Sequence, residues 1–170
     1  MPSSSTQPAT YPPPVYAGPA PHTPVPPSSL LWWGAAMALL GPVLGILWWV
    51  ASPGGAFYGD RAEAETWLAR DLVLGGLELV AGVVVGWLLS NRLELPGAWQ
   101  RVCTAVVGSV LGSVLAVAVG QGLGALFSGG ASEFPFVLRS LGVAAIWPAA
   151  ATLVVFLASL LGLLLVRPKR

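Results

Sequence analysis

The chain has 170 residues, 55% of them hydrophobic and 9% charged, with a mean hydropathy of +0.77. A soluble domain carries about a quarter charged residues and could not hide this much apolar surface, so a soluble enzyme is excluded and an integral membrane protein is expected. A net charge of +1 offers no basic face for nucleic acid, and a single cysteine (Cys103) and a single histidine (His22) exclude an internal disulfide and a Cys- or His-rich metal centre.

Residues 1–29 form a separate block. Ten of the 16 prolines lie between Pro2 and Pro27, mixed with Ser, Thr and Ala. Such a stretch cannot bury enough apolar area to offset its ordering entropy, and is expected to be a disordered, cytoplasmic tail of polyproline character. It lacks the basic start of a signal peptide. Pro13-Pro14-Val15-Tyr16 matches the pattern read by WW domains, whose readers are mainly eukaryotic, and is treated as a chance match.

The first span is expected over 30–51. Trp32 and Trp33 stand at one end, Trp48 and Trp49 at the other, and the 17 residues from Trp32 to Trp49 cover roughly 25 Å of helix. The two pairs read as aromatic belts. Pro42 predicts a kink. Pro53, Gly54 and Gly55 end the span, and an acidic segment with Asp60, Glu63, Glu65, Trp67 and Asp71 follows.

The second span is expected over 72–89. It holds Glu78, the only ionisable residue deep in any span. Asp71, Gly75, Glu78, Gly82 and Gly86 are spaced 4, 3, 4 and 4, which places the acids on the face best able to pack closely. The third span is expected over 102–127, with Gly108, Gly112, Ala116, Gly120 and Gly124 in an i+4 row and Ser109 and Ser113 beside it. The fourth is expected over 141–166, with Pro148 inside it leaving the Ala144 carbonyl without its helical donor. Residues 167–170 form a short basic tail. The sequence shows no fixed-period repeat.

The architecture read from this pattern is all-α: a four-helix transmembrane bundle behind a disordered tail. Arg92, Arg101, Arg167, Lys169 and Arg170 fall on one side, against Arg61, Arg70 and Arg139 with five acids on the other. The positive-inside rule then puts both termini in the cytoplasm of a multi-pass plasma-membrane protein. The small-residue rows, Gly82 with Gly86 and the row of the third span, serve either packing within the bundle or a contact between copies.

Depth arithmetic groups Glu78 with Gln121 and Trp147 in the outer half, with Arg139 or Arg70 reaching in. Two readings of Glu78 stand: a proton or cation relay or small-ligand site, and a structural hydrogen-bonding anchor. The acids Glu63, Glu65 and Asp71 read either as a solvated helical turn or as a cation-binding segment; their spacing matches no calcium loop. No nucleophile–base pair, phosphate loop, metal quartet or cofactor motif is present.

The stretch Glu63-Ala-Glu65-Thr-Trp67-Leu-Ala69-Arg-Asp71, leading into a Gly-rich span, resembles the signature of an uncharacterised family of small actinobacterial membrane proteins. The Ala-, Gly-, Pro- and Arg-rich composition resembles that of a high-GC bacterium. The resemblance implies a Pro-rich tail, four spans and that source; departures at Leu72 and Leu74 set the chain apart within it. The expected function is that of a non-enzymatic accessory or structural subunit acting through helix contacts. The alternatives are a small transporter or channel subunit using Glu78, and a membrane enzyme using the outer carboxylates. The expected partners are the bilayer and a membrane protein or a second copy.

Overall fold

The computed structural model describes residues 26–57, 66–127 and 136–165. Glu63, Glu65, most of the Pro-rich tail and the basic tail lie outside the described residues. The described residues form helices and connecting turns with no strand. They comprise α1 (Pro27–Ala51), α2 (Thr66–Ser90), α3 (Ala98–Phe127), a 3-10 turn (Leu141–Ala145) and α4 (Ile146–Leu165). All four helices are long and apolar enough to cross a bilayer, the fourth together with its 3-10 turn. The fold is the expected all-α membrane bundle.

The helix ends differ from the expected spans in informative ways. Charge and polarity suggest that α2 starts after Asp71, yet the helix already runs from Thr66 in the described residues, with Arg70 and Asp71 buried inside the fold at 4% and 3% exposure. α3 likewise begins at Ala98, directly after Gly97, whose φ of 75° makes the turn out of the connection. α1 runs unbroken through Pro42. Pro148 falls in the first turn of α4, where a missing N–H costs least, rather than inside a continuous helix.

The helices form two close pairs, α1 with α3 and α2 with α4. In the first pair the contacts advance in step: Gly34 lies against Thr104, Gly41 against Gly112 and Gly45 against Ala116. The two helices therefore run parallel, with backbone nearly on backbone. In the second, Gly75 meets Ile146, Gly82 meets Ala150 and Gly86 meets Val154, again in step and parallel. The α1–α3 crossing sets Leu40-Gly41-Pro42-Val43-Leu44-Gly45 against Leu111-Gly112-Ser113-Val114-Leu115-Ala116, two like hexapeptides that no fixed period disclosed.

Small residues set this geometry. A Cβ at Gly108 would lie 2.6 Å from the Gly34 carbonyl oxygen, and one at Gly82 2.7 Å from that of Trp147. Without a hydrophobic force between helices in lipid, such close approach supplies the dispersion contact that holds them. The row on α3 is used within the chain: Gly108 and Gly112 seat α1, Gly120 seats the Trp48 ring and Gly124 seats Phe136. Large apolar side chains cover the outside of all four helices, as lipid contact requires.

Candidate functional site

Two polar regions lie inside the bundle. The first is at the level of Glu78. This residue is the middle of the 25-residue α2, twelve from either end, and is fully buried. Counted from Thr66 its depth is about 18 Å, against the roughly 9 Å obtained by counting from Leu72. The Ser113 hydroxyl of α3 and the backbone of Trp147 in α4 are the polar groups that act on its carboxyl. Neither meets hydrogen-bonding geometry: both Glu78 oxygens, Ser113 Oγ and Trp147 Nε1 are buried without a partner. The Trp147 ring rests on Gly112, the residue before Ser113.

The local sequence explains the convergence. Asp71, Gly75, Glu78, Gly82 and Gly86 are all buried and form the inward face of α2. The glycines draw α4 close, which brings its first turn over Glu78. The amide groups at a helix start carry partial positive charge, so the α4 start favours an acceptor oxygen there. The ensemble offers a carboxyl, a hydroxyl and a helix start in the middle of a bilayer. Chemically it can hold a proton or a hydrogen-bonded water. Among the described residues, no three His, Cys, Asp or Glu side chains come together for a metal.

Of the companions expected for Glu78, only Trp147 reaches this level. Gln121 is eight residues beyond Ser113, about 12 Å further along α3. Arg139 is at the α1–α2 loop end, its guanidinium 5.9 Å from the centre of the Trp67 ring. Ser113 is the residue that sequence reasoning missed. The usable signal is that Ser113 is as central in α3 as Glu78 is in α2, once the true helix starts are known.

The second region ties the α1–α2 loop end together. Trp48 is fully buried, and its Nε1 donates to the Arg70 carbonyl at 2.8 Å. It is therefore a core residue and not part of an aromatic belt; Trp32, at the other end of α1, is exposed. Arg70 Nε donates to the Pro53 carbonyl at 2.8 Å, and its guanidinium lies 5.3 Å from the centre of the Phe136 ring. Gly54, at φ 81°, lets the loop pass beside that guanidinium. Asp71 Oδ2 accepts the Ser140 N–H at 2.8 Å, while Oδ1 has no partner. Asp71 and Trp67 thus stand together at this end, with Glu63 and Glu65 outside the described residues.

Gly82, Gly86, Gly108, Gly112, Gly120 and Gly124 are all contact glycines within the chain. Cys103 is exposed on α3. Comparison with protein-family models, characterised proteins and solved structures finds no match for this chain.

Proposed function

We propose that this chain is a non-enzymatic accessory or structural subunit of a bacterial plasma membrane, acting through helix–helix contacts. The observation that carries the reading is the second half of α4. From Phe156 to Leu165 no residue is buried, and α4 is the least buried of the four spans. Ala158 and Gly162 lie four apart there, and the Cβ position of Gly162 meets nothing within 4 Å. A small-residue pair on an uncovered helix is where another transmembrane helix can approach closely. The charge balance supports cytoplasmic termini, and on that orientation this half of α4 is the inner-leaflet half. The likeness of the 63–71 stretch to small actinobacterial proteins agrees with that setting.

The test is purification of the full chain from its native membrane in mild detergent, beside Gly162→Leu and a form lacking residues 1–29. A stoichiometric partner that Gly162→Leu releases while the bundle keeps its melting temperature supports the reading. A partner-free, monodisperse particle overturns it. A reporter fused at Arg170 that is found outside the cytoplasm overturns the topology.

A second reading, a transporter or channel subunit, is favoured by the unpartnered Glu78–Ser113 pair in the middle of the bilayer. Intramembrane carboxyls of this kind mark proton and ion paths. It requires a flux in proteoliposomes that Glu78→Gln abolishes.

A further inference from the structure

A groove of about 720 Å³ opens between α2 and the 3-10 turn at the α1–α2 loop end. Its walls are Leu68, Leu72, Leu79, Val143 and Ile146. Its depth comes from Gly76, which lines it and whose Cβ position meets nothing within 4 Å. An open glycine inside a helix gives up helix propensity relative to Ala, with no packing contact in return. Asp71, Ser140 and Trp67 also line it. Asp71 is 3% exposed, and its Oδ1 is a buried acceptor without a donor, next to Oδ2 already bonded to Ser140. Beside it, the exposed Arg139 guanidinium is held over the Trp67 ring.

We propose that this groove is a binding site for a zwitterionic lipid with a primary ammonium head, of the phosphatidylethanolamine class. The inference rests on the membrane placement of the bundle and not on the accessory reading. The apolar walls run from Leu68 to Leu79, about 16 Å of helix, and take an acyl chain. Asp71 is seven residues before Glu78, about 10 Å from the middle of the bilayer, so a head group that bonds to it is drawn about 5 Å inside the hydrocarbon edge. A primary ammonium has N–H donors, so it satisfies Asp71 Oδ1 where a quaternary ammonium cannot. The neighbouring phosphate meets Arg139, whose planar fork suits phosphate oxygens. Trp67 sits at the interface level that indoles favour. The paired charges beside the groove thus match a paired-charge head, whereas phosphatidylglycerol offers Asp71 only neutral hydroxyl donors and no cation.

The test is native mass spectrometry of the full-length protein, with equal amounts of phosphatidylethanolamine, phosphatidylcholine and phosphatidylglycerol of identical chains. One phosphatidylethanolamine should be retained about tenfold over phosphatidylcholine, the ratio expected of one charge-assisted hydrogen bond. Asp71→Asn keeps an acceptor for the Ser140 N–H and should bring the two lipids level. Gly76→Phe should fill the groove and remove the bound lipid without lowering the melting temperature. Gly122→Phe, at an equally open glycine on α3, should retain it. Equal retention of all three lipids, preference for phosphatidylglycerol, or a Gly76→Phe protein that binds like wild type would each overturn the proposal.

Discussion

The two helix pairs solve the same packing problem differently. α1 and α3 meet backbone to backbone through Gly41, Gly45, Gly108 and Gly112, and neither helix has a fully buried ionisable residue, although the half-buried Arg101 of α3 buries its Nη1. α2 and α4 meet through Gly82 and Gly86, which receive the Ala150 and Val154 side chains as well as the Trp147 and Ala151 backbone, and α2 brings Arg70, Asp71 and Glu78 inside. The first pair is therefore the tighter, with less room for change. The second carries the buried ionisable groups, two of them engaged at the loop end and one left without a hydrogen bond in the middle. In lipid, a seam that needs only close approach is built chiefly from glycine and alanine. A seam that also holds polar groups spends some of its packing quality on them.

The contrast breaks first at Gly41. Gly41→Leu drives a side chain into the Gly112 backbone, which cannot move aside as a side-chain end would. It should cost about 3 kcal/mol or more, the upper end of overpacking, read as a loss of stability in mixed-micelle denaturation. Gly86→Leu meets Val154 Cβ at 2.7 Å and the Ala151 carbonyl oxygen at 2.8 Å, a looser approach than at Gly41, and should cost less, about 1–2 kcal/mol. Equal losses at the two sites would remove the distinction between the seams.

Glu78 sharpens the same comparison. A buried carboxyl with neither oxygen bonded costs the fold, so Glu78→Leu should raise stability by about 1 kcal/mol. A loss of that size would make Glu78 an anchor for α4 instead. Trp48→Phe should lower stability by about 1 kcal/mol, through its hydrogen bond to the Arg70 carbonyl. The matched measurement is thermal unfolding of the two variants in one detergent.

How much of this was legible in the sequence follows from which forces act locally. Length and hydropathy sufficed for four spans, because bilayer thickness is a fixed ruler. The 4-3-4-4 spacing from Asp71 to Gly86 correctly marked a buried face, since helix periodicity needs no tertiary knowledge. Depth did not follow. Charged residues normally end a span, so Arg70 and Asp71 hid the true start of α2. Their burial depends on Pro53, Phe136 and Ser140, which are distant in sequence. That error of six residues put Gln121 in place of Ser113 beside Glu78. Trp48 misled for a related reason: an indole near a span end reads as an interface anchor, and only its bond to the Arg70 carbonyl and its contact with Phe136, ring centroids 4.7 Å apart, reveal a core residue.

The smallest expected effects separate two glycines of α3 that sequence alone treats alike. Gly120 and Gly122 are two residues apart, in the same apolar helix, with the same propensity. A Cβ at Gly120 runs into the Trp48 ring, whereas one at Gly122 meets nothing within 4 Å. Gly122→Ala should therefore raise stability by a few tenths to about 1 kcal/mol, through the unfolded chain's lost freedom and better helix propensity. Gly120→Ala has the same propensity gain, but it must displace a fully buried indole that is hydrogen-bonded to Arg70 and packed on Phe136. The net change there should be destabilising. Opposite signs from opposite faces of one helical turn would show that the α3 row is set by contacts inside this chain. If both substitutions stabilise, the Trp48 ring is not held where the loop-end interlock places it, and Arg70, Pro53 and Phe136 lose their claim to fix that end of the bundle.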